Sequence, residues 1–420
     1  MAKIMIIGGG AAGMYASVCL GGQGSEVHVF EKNEKLGKKL FITGKGRCNV
    51  TNQCDDETFF SSVISNPKFL YSAYYGCTST DVMEQFASMG VKLKTERGNR
   101  VFPVSDHSSD IIRALERRMK ELGVKIHLKS SVKDILLEEG KATGVLLENG
   151  TVIKGDKVIV ATGGCSYPAT GSTGDGYRFA EEAGHTVTER YPALVPLEVK
   201  EEYVSRMQGL SLKNVRFTVK DGKKVLYDEF GELLFTHFGI SGPLVLTASS
   251  RIGKRLAKKE LQGLIDLKAA VSEEQLDARL LREFEGAKNK QFKNVIGGFF
   301  PSKMESVMME LSGIQPDKKV NEITREERRH FISVMKAFPL TITGLRSFQE
   351  AIITQGGVKT GEINPASMES KKIRNLYFIG EVLDLDAVTG GFNLQIAWCT
   401  AHGAAMSIYH ELQGEEENGI

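Results

Sequence analysis

Three glycines near the start of the chain have the spacing of a dinucleotide-binding turn. Gly8, Gly10 and Gly13 directly follow an apolar run that reads as a buried strand. In such a turn the first glycine allows a tight bend, the second lets a pyrophosphate approach the backbone, and the third lets helix and strand pack closely. Glu31 ends the next apolar run, where a carboxylate accepts hydrogen bonds from ribose hydroxyls. These residues predict a site for an ADP moiety but do not distinguish FAD from NAD.

A second glycine-rich motif lies near the other end of the chain. Gly380 and Glu381 follow a short apolar strand, and Gly390 and Gly391 precede a helix that begins near Asn393. In two-part FAD folds a late strand ends in a glycine and an acid that holds the ribityl chain. The next helix then points its positive N-terminal end at the flavin edge where reduced flavin is negative. Together with the first motif, this one favours FAD.

The segment between residues 32 and 52 is basic, rich in glycine and predicted to be a loop. Lys39 and Arg47 can neutralise phosphate, while Thr43 and Asn49 can bond the flavin or the pyrophosphate. The alternative is a solvated basic loop. Cys48 can be a thiol close to the flavin, but a buried, inert thiol is the favoured interpretation.

Two residues are candidates for catalysis. His237 stands in the apolar stretch Phe235–Pro243, where it can transfer a proton near a substrate, although a structural histidine is the more common outcome there. Arg47 is the second candidate. The six cysteines are scattered and no metal-binding motif is present, so no metal is predicted.

The order of predicted elements indicates a nucleotide-binding domain that is split in sequence. A strand–helix–strand unit, a three-stranded meander between residues 132 and 154 and a strand ending in Ala161-Thr162-Gly163 are typical of large FAD-binding folds. Short strands follow from about residue 190, then helices from about 272 to 338, and then β-structure again.

We therefore expect three domains. These are an FAD-binding domain of residues 1–190 and 355–420, an inserted β-barrel of residues 191–270 and 338–354, and a helical subdomain of residues 271–337. The predicted fold class is α/β: a split glutathione-reductase-type FAD-binding Rossmann domain with an inserted β-barrel and a small helical subdomain.

Composition and charge exclude several other classes. The chain has 420 residues, of which 41% are hydrophobic and 25% charged, and its net charge is +2. This balance gives no overall attraction to nucleic acid or to an anionic membrane. The first strand begins at Lys3 and no long apolar run occurs, so we expect a cytoplasmic protein without a targeting or membrane segment. The acidic tail, residues 415–419, is expected to be disordered.

Basic residues gather in the predicted insertion, at residues 251–259, 288–293 and 318–329. Acidic residues alternate with them, so a solvated helix face is the favoured interpretation. The alternative is a patch that follows the phosphates of RNA.

Six motifs together resemble one known group, the YhiN/BaiN-type flavoproteins, which are NAD(P)/FAD-dependent oxidoreductases also described as aminoacetone-oxidase-like. The motifs are GGGAAG, LGKKLFITGKGRCNVTN, ATGG, GSTGDG, FTHFGISGP and GEVLDLDAVTGGFNLQIAW. The resemblance runs from Lys3 to about His402. It implies that the residues lining FAD are Gly8, Gly10, Gly13, Glu31, Lys39, Leu40, Thr43, Gly44, Arg47, Cys48, Asn49, Thr162, Gly163, Asp386, Gly391, Asn393, Leu394 and Gln395. We assign to the same site their neighbours in the motifs and in the first meander strand, Ala12, Lys32, Val132, Ala161, Gly380 and Glu381.

The resemblance implies several activities. The first hypothesis is an NAD(P)H-dependent flavin reductase of activated C=C bonds in a small molecule of the steroid-like enone class. NAD(P)H would then dock transiently at the flavin, because the chain has no second dinucleotide motif. The second is a small-amine oxidase that uses O₂, and the third is flavin-dependent dihydrouridine formation in ribosomal RNA. A non-catalytic FAD-dependent scaffold is the remaining, least favoured alternative.

Overall fold

The glycine fingerprint lies at the end of the central strand of a parallel sheet. The computed structural model describes residues 1–417 of the chain. The five strands, in spatial order, are Leu376–Phe378, Lys157–Val160, Lys3–Ile7, Glu26–Glu31 and Lys125–Leu128, and all of them run parallel. Because parallel strands end at the same edge, this order brings the loops after residues 7, 31, 160 and 378 together.

Two helices cover the sheet beside the fingerprint. The helix Ala11–Leu20 packs extensively against the long C-terminal helix Phe392–Glu417. Tyr15 on the first helix and Trp398 on the second are fully buried, with ring centroids 5.1 Å apart. Trp398 also donates its indole N–H to the Val50 carbonyl at 2.8 Å. The segment after Glu31 is thereby fixed to the last helix of the chain.

The described chain divides into two compact units, residues 1–192 with 348–417, and residues 193–347. In the first unit the meander is Val132–Glu138, Lys141–Leu147 and Val152–Lys154, and a smaller sheet is Thr51–Asn52, Leu93–Glu96 and Arg100–Pro103. Its other main helices are Lys38–Ile42, Asp56–Ser62, Tyr71–Gly76, Ser79–Ser88, Ser108–Glu121 and Asp175–Glu182.

The second unit is a closed six-stranded barrel with helices. Its strands, in barrel order, are Leu197–Val199, Gly239–Ser241, Lys224–Phe235, Ser211–Asp221, Leu261–Asp266 and Phe338–Leu345. Its helices are Tyr203–Arg206, Pro243–Leu256, Glu273–Glu285, Ser302–Ser312 and Arg325–Lys336. Barrel and helices share one hydrophobic core. The split fold class is confirmed, while the predicted three-domain boundaries stay a prediction.

Three local predictions are wrong. The loop 32–52 contains the short helix Lys38–Ile42, which buries only Leu40 and therefore has no readable periodicity. The two short strands predicted at residues 224–228 and 232–236 are one long strand, Lys224–Phe235, because Gly231 makes room for Leu244 of the neighbouring helix and does not turn the chain. The tail is helical to Glu417, since glutamate has good helix propensity. Asn418 and Gly419 lie outside the described residues.

Candidate active site

The three fingerprint glycines differ sharply in their surroundings. A Cβ on Gly13 would lie 1.9 Å from the Gly8 carbonyl oxygen, so the helix packs on the strand only because residue 13 is glycine. Gly8 has φ +108°, and a Cβ there would lie 2.5 Å from the Ala161 oxygen. Around Gly10 no protein atom lies within 4 Å of a Cβ in the described structure. The first and third glycines thus shape the protein, whereas the second has room for an approaching ligand.

Glu31 is fixed at the carboxyl edge of the sheet. It is 8% exposed. Its Oε2 accepts the Gly9 N–H at 2.8 Å, and its Oε1 accepts the N–H and the side-chain amide of Asn33 at 2.8 and 2.7 Å. A carboxylate has about four lone-pair positions, so capacity remains for a ribose hydroxyl.

A second glycine platform lies before the C-terminal helix. Gly390 and Gly391 have φ values of +129° and +103°. A Cβ on Gly391 would lie 2.4 Å from the Thr51 carbonyl oxygen. Asn393 braces the same loop, because its Oδ1 accepts the Ala387 N–H at 2.9 Å and its Nδ2 donates to the Ala387 oxygen at 2.8 Å. Bare backbone and a helix N-terminus are therefore held in place here.

Several buried side-chain oxygens around these loops have no hydrogen-bond partner within the described structure. They are the Oδ1 atoms of Asn49, Asn52 and Asp384 and the Oγ1 of Thr162. Leaving such a group unpaired costs about 1–3 kcal/mol, so each one needs a physical reason. Asn49 Oδ1 would lie 3.0 Å from a Cβ on Gly391. Thr162 directly follows Ala161, whose carbonyl oxygen would lie 2.5 Å from a Cβ on Gly8. Unpaired oxygens beside bare glycine backbone are what a polar, multi-ring cofactor such as FAD would satisfy.

Lys39 and Glu381 form an ion pair of 2.6 Å in the same unit. Ser166 accepts from Lys39 Nζ at 2.5 Å and donates to Glu381 Oε1 at 3.1 Å. The backbone N–H of Thr354 donates to the same carboxylate at 2.9 Å. The acid predicted to hold the ribityl chain is thus oriented by three protein donors. Ser166 and Thr354 were missed, because neither carries a local motif and the contact spans distant parts of the chain.

Arg47 is bound to carboxylates in this structure. Its guanidinium contacts Glu96 and Asp106 at 2.5 Å and stacks 4.1 Å above the Phe102 ring. The hydrogen bonds that Arg47 donates to the carboxylates of Glu96 and Asp106 raise its pKa. Its predicted roles in catalysis and at a phosphate would require these ion pairs to break, and they stay predictions. Lys32 is similarly occupied, with Asp175 at 2.7 Å.

Cys48 is completely buried, and burial raises the pKa of its thiol to about 12. A thiol with that pKa is protonated at neutral pH and is a poor nucleophile. The structure therefore favours the inert thiol over a reactive one.

Two polar residues assigned to FAD instead bond to the protein. Gln395 accepts from Thr51 Oγ1 at 2.7 Å and donates to the Cys77 oxygen at 2.8 Å. The fully buried Asp386 accepts from Gln355 Nε2 at 3.0 Å. Both side chains brace loops in the described structure, and any contact with a cofactor through their polar atoms stays a prediction.

The other assigned residues belong to the first unit as well. Those with little exposure are Ala12, Leu40, Val132, Ala161 and Gly380, and those partly exposed or exposed are Thr43, Gly44, Gly163 and Leu394. His237 belongs to the second unit, where its exposed ring contacts Phe238 at a centroid distance of 4.9 Å. Its catalytic role stays a prediction.

Within residues 1–417, no group of histidine, cysteine, aspartate or glutamate side chains could hold a metal ion. In the same part of the chain no helix has the length and apolar character needed to cross a membrane.

Comparison with known proteins agrees with this geometry. The family model described as "HI0933-like protein Rossmann domain" matches residues 2–407. The chain is 32% identical to a 3-dehydro-bile acid delta(4,6)-reductase of Clostridium scindens over 96% of this chain and 98% of the relative. It is 31% identical, with the same coverage, to a ribosomal RNA dihydrouridine synthase of Haemophilus influenzae.

Among solved structures, a 3-ketosteroid delta1-dehydrogenase from Sterolibacterium denitrificans matches with a TM-score of 0.53 at 12% identity. The match covers 98% of this chain and all of that one, and it shows the shared fold. The family match, the two relatives and the Rossmann geometry make the chain a member of the HI0933-like family, an FAD-dependent oxidoreductase.

Proposed function

We propose that this protein uses FAD to reduce a carbon–carbon double bond conjugated to a carbonyl group, with a nicotinamide dinucleotide as electron donor. The observation that carries the proposal is the bare glycine backbone at Gly391 beside the unpartnered buried Asn49 Oδ1, together with the open space at Gly10. When bound, FAD supplies the hydride-transfer chemistry, and the protein supplies position and electrostatics.

The names of the two relatives support this reaction class. One name describes reduction at delta(4,6) of a 3-dehydro compound, and the other describes conversion of uridine to dihydrouridine. Both reactions add a hydride and a proton across a C=C bond that is conjugated to a carbonyl. The nicotinamide is oxidised by the same two electrons, so the reaction balances without O₂.

The residues of this chain have defined tasks in such a reaction. Glu31 has room to accept a hydrogen bond from a ribose hydroxyl, and Gly10 lets a pyrophosphate approach the helix N-terminus. The helix that begins at Phe392 carries a positive N-terminal dipole, which stabilises negative charge beside Gly391. The Lys39–Glu381 pair, held by Ser166, keeps the acid in one orientation.

A small-molecule enone is the first candidate substrate. Many of the basic residues proposed for RNA are already neutralised by the protein. Arg328 pairs with Asp277 at 2.5 Å, and Lys318 pairs with Glu327 at 2.7 Å. These ion pairs favour the solvated-face interpretation for residues 318–329.

RNA is the second candidate, and one feature of the barrel unit favours it. The hairpin that turns after Asp221 carries Lys223 and Lys224, and Asp221 binds Arg255 at 2.6 Å near the end of the helix Pro243–Leu256. Lys258 follows that helix. We call these four basic residues, Lys223, Lys224, Arg255 and Lys258, the basic hairpin patch. Its cations outnumber Asp221, as a phosphate-binding surface requires.

Anaerobic stopped-flow spectroscopy of the FAD-loaded protein tests the reaction class. We expect NADPH or NADH to bleach the flavin, and a 4-en-3-one steroid to restore its colour while being converted to the saturated ketone. Bleaching by aminoacetone but by neither dinucleotide would contradict the proposal and favour amine oxidation.

Ribosomal RNA fragments distinguish the two substrates. If RNA is the substrate, Lys223→Gln with Lys258→Gln should weaken RNA binding and flatten its salt dependence, whereas the matched pair Lys318→Gln with Arg328→Gln should not. Enone turnover with no RNA binding by the wild type would exclude the RNA candidate.

A further inference from the structure

We infer that Arg97 and Arg100, at the tip of the hairpin formed by Leu93–Glu96 and Arg100–Pro103, bind the phosphate groups of the nicotinamide dinucleotide that reduces the flavin. The inference rests on the proposed function for the identity of that donor. It assigns the donor a site on the first unit.

The hairpin tip is tied to the glycine platform by one side chain. Asn52 Nδ2 donates to the Gly98 oxygen at 3.0 Å and to the Gly390 oxygen at 2.8 Å. Two carbonyls that share one donor nitrogen lie within about 6 Å of each other. The neighbouring Gln53 N–H also donates to the Asn99 oxygen at 2.8 Å. The tip is therefore held beside the loop that the flavin would contact.

The acidic groups of this hairpin are already paired. Glu96 binds Arg47 at 2.5 Å, and Asp106 binds Lys94 at 2.7 Å. Hydrogen bonds from these cations hold the pKa of both carboxyls below their usual values. Within residues 1–417, Arg97 and Arg100 form no ion pair, and both are exposed. The Arg100 Nε–H donates only to the Arg97 carbonyl, at 3.1 Å, which keeps the two residues together.

A phosphate is the ligand that two such groups recognise. The guanidinium fork matches phosphate oxygens in a bidentate geometry. The chain has a single dinucleotide fingerprint, so an electron donor must be held where its nicotinamide can reach the flavin. The diphosphate of that donor is negatively charged and needs a positive partner on the protein. The hairpin tip offers the unneutralised charge of two arginines beside the loop that contains Gly390.

Equilibrium binding and anaerobic reduction of the FAD-loaded protein test the inference. The variants are Arg97→Gln, Arg100→Gln and the double variant, with Arg113→Gln as the matched control. Arg113 is an exposed arginine on the helix Ser108–Glu121. FAD content and Tm should match the wild type, because both arginines of the tip are exposed. The flavin difference spectrum then gives the Kd of NADP⁺ and NAD⁺.

We expect each single variant to weaken dinucleotide binding about 3- to 10-fold and the double variant about 30-fold. The limiting rate of flavin reduction at saturating NADPH or NADH should be unchanged, and Arg113→Gln should bind as the wild type does. The loss should shrink at high salt, because these charges are exposed.

The outcomes separate this inference from the proposed function. A wild type that neither dinucleotide reduces would overturn both, since the donor itself would be wrong. If a dinucleotide reduces the wild type but the double variant has an unchanged Kd, only the proposed site at Arg97 and Arg100 is overturned. A double variant that binds ribosomal RNA more weakly but dinucleotide normally would overturn the same site.

Discussion

Gly10→Ala and Gly13→Ala add the same methyl group three residues apart but should have different consequences. The first should weaken FAD binding, and the second should destabilise the folded protein. A Cβ at residue 10 meets no protein atom within 4 Å in the described structure, and Gly10 has φ −82°, which alanine adopts freely. Alanine is a poorer helix N-cap than glycine, so the apoprotein should lose no more than about 1 kcal/mol of unfolding free energy. If a pyrophosphate lies against this backbone, the added methyl overlaps it at a cost of about 1–3 kcal/mol. That cost weakens FAD binding about 5- to 150-fold.

At residue 13 the methyl would instead meet the protein. It would lie 1.9 Å from the Gly8 oxygen and 3.3 Å from Ala161 Cβ. Neither atom can yield cheaply, because the first is backbone at the central strand and the second belongs to the neighbouring strand's end. Overpacking should cost about 3 kcal/mol, and the better helix propensity of alanine offsets about 1 kcal/mol of this cost. We therefore expect Gly13→Ala to lower the unfolding free energy of the apoprotein by about 2 kcal/mol.

Urea denaturation of the FAD-stripped proteins and FAD titration by fluorescence quenching measure the two effects separately. The expected pattern is a stable Gly10→Ala apoprotein with weak FAD binding and a destabilised Gly13→Ala apoprotein. Wild-type FAD affinity in Gly10→Ala would refute the assignment of this backbone to the pyrophosphate. Wild-type stability in Gly13→Ala would refute the packing argument.

Three further predictions concern the same unit. Glu31→Gln should weaken FAD binding about 10-fold by removing the charged acceptor for a ribose hydroxyl, and an unchanged Kd would contradict that role. Gly391→Ala should lower both Tm and FAD content, because its methyl meets backbone in addition to the strain of a positive φ, whereas Gly123→Ala, with a positive φ and open space, should carry the strain alone, lower Tm less and leave FAD content unchanged. Burial alone would raise the pKa of Glu362, but chiefly the Lys372 ammonium lowers it to about 2. The folded state therefore gains stability from this carboxylate above about pH 4.5 and loses it toward pH 2. Glu362→Gln should flatten that acid-induced loss in chemical denaturation, and an unchanged pH profile would contradict it.

The sequence was informative where local geometry demands a particular residue. Glycine at positions 8 and 13 is required by contacts below 3 Å, so its spacing can be read without a structure. The strands Lys3–Ile7 and Glu26–Glu31 follow from short apolar runs, since parallel strands are buried on both faces. The insertion was readable from the return of strand and glycine-rich loop after residue 375.

The sequence was uninformative where contacts join distant residues. Nothing in the sequence near Lys39 indicates that Glu381 and Ser166 are its partners, because the loops that carry them meet only when the sheet is assembled. The same holds for Asn52, which joins the hairpin tip to Gly390. The type of a side chain predicts that it can form a hydrogen bond or an ion pair. Which residue becomes its partner depends on the order of the strands in the folded sheet.

This distinction changes how the site is expected to bind phosphate. The sequence predicts Lys39 and Arg47 as phosphate-neutralising side chains, yet in the structure each is paired with a carboxylate, at 2.6 and 2.5 Å. Removing a cation from an existing ion pair costs the free energy of that pair, so these side chains offer little net attraction to a phosphate. The backbone N–H groups and the dipole at the start of the helix Ala11–Leu20 have no such competitor for charge. Binding of the pyrophosphate therefore falls mainly to the backbone, and substitution of Gly10 should damage it more than neutralisation of Lys39.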